Sequence, residues 1–259
     1  MNLIDTHCHL SHPRLCHDVA GVLDRAFAAG VGACICASGD LREAQASLAL
    51  ARRHPNVYVT AGVHPHEAKA FSAETSDALE QLLGDPLVVA LGEIGLDYFR
   101  DLSPRPVQQE VFAAQLALAR RTGGPVVIHT REAFDDTMAI LRASGVDGSK
   151  VIFHSFTEGA SQVRTALDFG ATVSFSGIVT FARSDALREA AALVPGDRLL
   201  VETDAPYLSP EPVRKLSPNE PALIVHTVAC LAALRNVRPE DLGIAARDNA
   251  VRVFALPGG

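Results

Sequence analysis

Six side chains of the kinds that bind metal ions are spread along most of the sequence, and each stands at or just after the end of a short apolar run. They are His7, His9, Glu93, His129, His154 and Asp204. Imidazoles and carboxylates together can hold two divalent cations, which lower the pKa of bound water and hold the attacking and leaving oxygens during hydrolysis. The residue types therefore predict a two-metal hydrolytic site, if the fold brings the six together.

The first ligand candidates are two histidines separated by one residue. On an extended chain, His7 and His9 project to the same side, so both imidazoles can bind one ion. Glu93 follows the apolar run 87–91, and a carboxylate at such a position needs a charged partner because its unpaired burial is costly. Two cations bridged by its oxygens would supply that partner, and an ion pair with an arginine is the alternative.

The remaining candidates follow later runs. His129 and His154 come after two consecutive runs and are expected to hold the second ion. Asp204 is expected to bind the first ion and to accept a proton from its bound water. Asp204 and the bridging Glu93 are therefore the predicted catalytic residues. His64 is the candidate for substrate contact, with a structural role as the alternative, and His66 is a weaker candidate. The other histidines are expected in solvent: His12, His17, His54 and His226.

Parallel strands that end on one face would bring these residues together, as in a βα-barrel. Eight β-branched runs are predicted as strands: Leu3–Thr6, Ala33–Ala37, Val57–Val63, Val88–Ile94, Val126–His129, Val151–His154, Ala171–Phe175 and Leu199–Glu202. The intervening amphipathic stretches are predicted as helices: Val19–Ala29, Arg42–Arg53, Thr75–Leu83, Pro106–Arg121, Ala133–Ala143, Ala160–Phe169, Ala186–Leu193, Asn219–Leu234 and Pro239–Phe254. Eight strand-then-helix units favour an α/β fold of the (β/α)8 TIM-barrel type over a doubly wound sheet. No linker interrupts the chain, so one hydrolase domain over 1–259 is expected.

Composition narrows the class of protein. The net charge of −7 argues against a bulk polyanion binder, so any affinity for phosphate must be local. The five cysteines lack the spacing of a zinc knuckle and are expected to be reduced. The sequence shows neither a signal peptide nor a membrane-spanning run. Together these features predict a cytoplasmic location. Nucleotide-binding loops and serine-nucleophile motifs are absent from the sequence.

The sequence resembles the TatD family of metal-dependent deoxyribonucleases, within the amidohydrolase superfamily. The resemblance runs along the whole chain and is carried by these stretches: 5–10 (DTHCHL), 62–68 (GVHPHEA), 92–98 (GEIGLDY), 127–132 (VIHTRE), 153–156 (FHSF), 175–181 (FSGIVTF), 202–208 (ETDAPYL) and 219–221 (NEP). It implies a TIM barrel that cleaves phosphodiester bonds of DNA, single-stranded or at ends, as an exonuclease. It also implies one ion on His7, His9, Glu93 and Asp204, a second on Glu93, His129 and His154, and no obligate protein partner or membrane.

Two segments depart from the family pattern. Glu158 stands where the family usually has glycine, and the basic stretch near the end of the family pattern is here 214–221, longer and less basic. These changes leave a second hypothesis open, an ester, lactone or amide hydrolase of the same superfamily, and a third is a binding protein that has lost catalysis. The ligand types admit Mg²⁺, Mn²⁺ or Zn²⁺. The sequence does not choose among these ions, between DNA, RNA and small esters, between the two polarities of degradation, or among oligomeric states.

Overall fold

Eight parallel strands form one sheet in the computed structural model, which describes residues 2–257. The strands pair strictly in chain order. They are β1 (Leu3–Cys8), β2 (Val31–Cys36), β3 (Val57–Ala61), β4 (Val88–Asp97), β5 (Val126–Arg131), β6 (Val151–Phe153), β7 (Thr172–Phe175) and β8 (Leu199–Val201). Each crossover between neighbouring strands contains a helix, which is what parallel pairing requires. The predicted α/β barrel is confirmed, and the doubly wound alternative is wrong because the strand order never reverses.

The two edges of the sheet meet and nearly close the barrel. The amide of His9 donates to the carbonyl of Ala205 at 2.7 Å, and the amide of Asp204 donates to the carbonyl of His7 at 2.9 Å. Cys8 and Ala205 form a further parallel bridge. The start and the end of the strand sequence are therefore joined at the level of the candidate ligands.

Nine α-helices surround the sheet in the described part of the chain. They are α1 (Val19–Ala28), α2 (Leu41–Ala51), α3 (Ala73–Leu82), α4 (Arg105–Thr122), α5 (Phe134–Ser144), α6 (Ala160–Phe169), α7 (Asp185–Leu193), α8 (Ile224–Arg235) and α9 (Pro239–Phe254). Local signals set their ends: the side chain of Asp40 accepts a hydrogen bond from the amide of Glu43 at the start of α2, and Gly123 adopts a left-handed conformation after α4. Within residues 2–257, none of the helices has the length and apolar character needed to cross a bilayer.

The predicted start of the eighth helix is wrong. The structure begins α8 at Ile224 rather than Asn219, after a short 3₁₀ turn over Pro221–Leu223. The side-chain amide of Asn219 donates to the carbonyls of Thr203 and Tyr207 instead, so this residue is fixed to the loop after β8 and cannot enter a helix.

The barrel interior consists of an apolar layer beneath a polar one. Ile4, Ile35, Ala90, Val127, Ile152 and Leu200 form a buried cluster that packs against Val253 and Phe254 of α9. Side chains two positions apart on a strand share a face. His129, His154 and Glu202 therefore lie directly above Val127, Ile152 and Leu200. The candidate site thus rests on the packed core, at the carboxyl end of the strands.

Candidate metal centre

All six candidate ligands meet at the carboxyl end of the barrel. Glu93 contacts three of the four candidate histidine ligands: its Oε1 lies 2.8 Å from Nδ1 of His129 and 2.8 Å from Nε2 of His154. Its Oε2 lies 3.3 Å from Nε2 of His7. The glutamate therefore links the β1 side of the site with the β5 and β6 side, and no arginine pairs with it among the described residues, contrary to the alternative considered from sequence.

Neighbouring imidazoles determine the charge of Glu93. Burial would raise the pKa of this carboxyl, but the charges of His154 and His64 and the hydrogen bonds of His129 and His154 outweigh it and hold the pKa well below its ordinary value. Because both oxygens are then ionised acceptors facing different histidines, the side chain has the form that a bridging ligand requires.

Close packing of strands allows this arrangement. Gly95, two residues after Glu93, has φ of 139°, and an added Cβ there would lie 1.9 Å from the carbonyl oxygen of His129. A side chain at this position would push β4 away from β5 and separate Glu93 from His129. The glycine is therefore needed for the contact between the two strands.

The other end of the site is formed by His9 and Asp204. Their Nε2 and Oδ1 atoms are 3.3 Å apart, and the same Oδ1 lies 3.9 Å from Nε2 of His7. Asp204 has φ of 55°, in a left-handed region that aspartate tolerates better than most residues. Burial would raise the pKa of Asp204, but its hydrogen bond with His9 outweighs this and lowers the pKa. Burial opposes protonation of His9, yet the same bond raises the pKa of that imidazole.

His7 provides the strongest structural sign of a bound cation. It is 1% exposed, and neither ring nitrogen has a hydrogen-bond partner among the described residues. Its ring stacks on His154 with 3.9 Å between centroids. Burial, together with the charge of His154, lowers the pKa of His7 and keeps it neutral, as a metal-ligating imidazole must be. Buried polar atoms are almost always satisfied, so a cation between these donor groups fits the structure.

His64 and His66 both line the cavity, but they differ in their partners. Nε2 of His64 lies 3.4 Å from Oε1 of Glu93, and burial lowers the pKa of His64 to about 4. His66, the weaker candidate from sequence, lies with its Nε2 2.8 Å from Oδ2 of buried Asp97. The same carboxylate oxygen lies 3.2 Å from Nε2 of His129. Asp97 therefore orients His66 and His129 together, while its other oxygen caps the loop by accepting from the amides of residues 99 and 100.

Two buried acids that were not predicted as site residues support the site from below. Oε1 of Glu202 lies 3.2 Å from Nδ1 of His154 and accepts from the amide of Ser155 at 2.7 Å. Asp5 accepts from the amide of Thr203 at 2.9 Å and from its hydroxyl. Burial raises the pKa of Asp5 to about 7. A partner such as Glu202 fixes the orientation and tautomer of a metal-binding histidine, whereas Asp5 holds the backbone beside Asp204 through Thr203.

An open cavity of about 940 Å³ leads to this cluster. Three arginines line it, Arg42, Arg100 and Arg131, together with the exposed side chain of Tyr207. His12, expected in solvent, also lines the cavity, and its Nε2 lies 3.2 Å from the hydroxyl of Tyr207. The cavity is large enough for an extended polar substrate and carries positive side chains at its rim.

Comparison with known proteins agrees with this geometry. The model of the family described as TatD related DNase matches residues 4–255. The chain belongs to the TatD family. A metal-dependent hydrolase TatD of Mycobacterium tuberculosis is 41% identical over 261 residues, covering 98% of each chain. A protein of Erwinia amylovora named 3'-5' ssDNA/RNA exonuclease TatD is 38% identical over 259 residues, covering 98% of this chain and 100% of that one.

Comparison with a solved structure also supports membership of the TatD family. The crystal structure of YJJV, a TatD homolog from Escherichia coli K12, superposes with a TM-score of 0.93 at 31% identity and covers 98% of both chains. The chain is therefore a metal-dependent hydrolase of the TatD family, with a TIM-barrel fold and histidine, glutamate and aspartate groups that can hold metal. The assignment of individual ligands remains a prediction.

Proposed function

We propose that this TatD-family hydrolase cleaves phosphodiester bonds of single-stranded DNA from an end, as an exonuclease. The observation that carries the proposal is the convergence of four histidines and the acids Glu93 and Asp204 at the floor of a cavity bordered by arginines. Nuclease relatives such as the Erwinia amylovora protein support a nucleic-acid substrate. A cytoplasmic location and a single domain remain predictions.

The residues fit two divalent ions, Mg²⁺, Mn²⁺ or Zn²⁺. One would be held by His7, His9, Glu93 and Asp204, and the other by Glu93, His129 and His154. Such a pair, when bound, lowers the pKa of water and stabilises the charge on the attacking and leaving oxygens.

The chain's own groups then position the reactants. Asp204 is ionised at neutral pH because its pKa is lowered, so it is the general base that accepts a proton from the attacking water. Glu93 holds the two halves of the site at a fixed separation. His64 is neutral above its pKa of about 4, and it contacts the substrate at the cavity wall.

The test compares metal-replete wild type with His129→Ala and Asp204→Ala on end-labelled single-stranded DNA. Both variants are expected to lose activity by several orders of magnitude and to keep the far-UV circular dichroism spectrum of the wild type. His54→Ala is the matched control, because His54 precedes β3 at the opposite end of the barrel. Full activity of either site variant would contradict the assignment.

A hydrolase of small esters, lactones or amides is the second candidate. The observation in its favour is Glu158, whose pKa is raised by burial and by the nearby charges of Asp135 and Glu132. These acids line a depression next to the cavity, and their negative charges disfavour the approach of a phosphate from that side. A panel of small esters assayed beside single-stranded DNA, with the same preparation and the same ions, separates the two candidates: the higher kcat/KM identifies the substrate class.

A further inference from the structure

An exposed aromatic ring lies beside the cavity, at the end of β4. Phe99 is 52% exposed even though the guanidinium carbon of Arg131 lies 3.9 Å from its ring centroid. Large apolar side chains are usually withdrawn from solvent, and cation–π contact covers only part of this ring. The remaining surface of Phe99 is therefore open to a flat partner.

The positive charges at the same rim lack protein partners. In residues 2–257, the side chains of Arg42, Arg100 and Arg131 form no ion pair and no hydrogen bond, and Arg131 contacts only the ring of Phe99 among aromatic groups. The chain as a whole carries a net charge of −7. Asp40, Glu43 and Glu67 line the same cavity, but in residues 2–257 none of them pairs with the three arginines, whose charges therefore favour an anionic ligand.

Strand geometry fixes where this rim lies relative to the candidate metal centre. Arg131 is two residues beyond His129 on β5, so the two side chains share a face and are about 7 Å apart along the strand. Phe99 lies in the turn after β4, where its amide donates to Asp97, and its ring is placed at the same rim by its contact with Arg131. The ring and the guanidinium therefore stand one step outward from the floor of the site.

We propose that Phe99 and Arg131 form a nucleotide subsite next to the scissile phosphate. The neighbouring base stacks on the open part of the Phe99 ring, and Arg131 and Arg100 bind the phosphates on either side of it. Glu132 and Glu158 line a neighbouring acidic depression together with Asp135 and Asp136, which disfavours a path of the strand in that direction. This inference rests on the proposed action on nucleic acid and names the side chains that distinguish a strand from a small phosphodiester.

The test measures the ratio of kcat/KM for single-stranded oligothymidylate to kcat/KM for bis(4-nitrophenyl) phosphate, in metal-replete protein. Phe99→Ala should lower this ratio about 5- to 150-fold, which corresponds to the loss of one base stack. Phe99→Tyr should keep the wild-type ratio, because a phenol ring stacks equally well. Phe27→Ala is the matched control, since Phe27 is 79% exposed on α1 near the opposite end of the barrel, and it should leave the ratio unchanged.

The phosphate contact is tested by equilibrium binding. Fluorescence anisotropy with a phosphorothioate oligothymidylate, which resists cleavage, gives the dependence of log K on log salt concentration. Arg131→Gln should reduce that slope by about 0.7, as expected for one lost phosphate contact on a single strand. Arg53→Gln, an exposed arginine at the opposite end of the barrel, should leave the slope unchanged.

The outcomes separate this inference from the proposed function. If wild type cleaves the oligonucleotide and Phe99→Ala has an unchanged ratio, the subsite is wrong and the nuclease proposal stands. If wild type cleaves no phosphodiester, the nuclease proposal fails, and the anisotropy data still decide on the subsite. The subsite would be overturned if Phe99→Ala bound the phosphorothioate oligothymidylate with wild-type affinity and Arg131→Gln showed the wild-type dependence of log K on log salt concentration.

Discussion

Replacing Glu202 by glutamine should weaken metal binding without unfolding the protein. Glu202 is fully buried, and its Oε1 lies 3.2 Å from Nδ1 of His154, which fixes the proton of that ring on Nδ1. Nε2 of His154 is then free to bind an ion, 2.8 Å from Oε1 of Glu93. Oε2 of Glu202 has no hydrogen-bond partner in residues 2–257, so the new amide group would either lie there as an unsatisfied donor or turn toward His154.

The size of the effect follows from these two possibilities. A buried unsatisfied donor costs about 1–3 kcal/mol, and loss of a partner that orients a metal ligand weakens metal affinity about 10- to 100-fold. The second figure corresponds to about 1.4–2.7 kcal/mol of binding free energy. Glu202→Gln should therefore lose about 10- to 100-fold in affinity for the ion at His154 and little at His9.

Calorimetric titration of the metal-free protein with Mn²⁺ measures both sites. Glu240→Gln is the matched control, because Glu240 is exposed in the first turn of α9, far from the cavity. Two dissociation constants equal to those of the wild type, in a variant with an unchanged melting temperature, would refute the idea that Glu202 holds His154 in place.

Three further predictions concern pH and charge. The pKa of Asp5 is raised from 3.8 to about 7, so between these pH values the folded protein keeps a proton that the unfolded chain has lost. The free energy of unfolding should therefore fall between about pH 4 and 7, by up to about 1.4 kcal/mol per pH unit. Urea titrations should show a weaker dependence of this free energy on pH in Asp5→Asn. The pKa values of His129 and His154 are raised because their acidic partners outweigh burial, so metal binding must displace protons from both rings. The affinity for metal should therefore increase with pH. A calorimetric dissociation constant that is the same at pH 6 and pH 8 would contradict this. Glu158→Gly should lower KM for single-stranded DNA by up to about fivefold in steady-state assays, while an unchanged or higher KM would show that this acid does not face the strand.

The fold was accessible from the sequence because it depends on a repeated local pattern. Each β-branched run followed by an amphipathic stretch specifies one strand and one helix, and parallel pairing then leaves few topologies. The start of α8 was not accessible, since it depends on the side chain of Asn219 binding two distant carbonyls. Tertiary hydrogen bonds of this kind leave no periodic signal.

The proposed ligands could be predicted from the sequence, but the residues that orient them could not, for a similar reason. The proposed ligands follow strands, so their positions relative to the runs indicated a common location. Glu202 and Asp97 act through particular atoms of His154 and His129, and those contacts form only when separate strands are side by side. One signal was present for Glu202: it stands two residues before Asp204, at the end of the same apolar run.

Closure of the barrel between His7 and Asp204 has a consequence for synthesis of the protein. The first strand leaves the ribosome early, yet its backbone partners, residues 204 and 205, are translated some two hundred codons later. A nascent or truncated chain that ends before this point has neither a complete ligand set nor a finished barrel. Hydrolytic capacity should therefore arise only after residue 205 has been made, so that shorter translation products lack it.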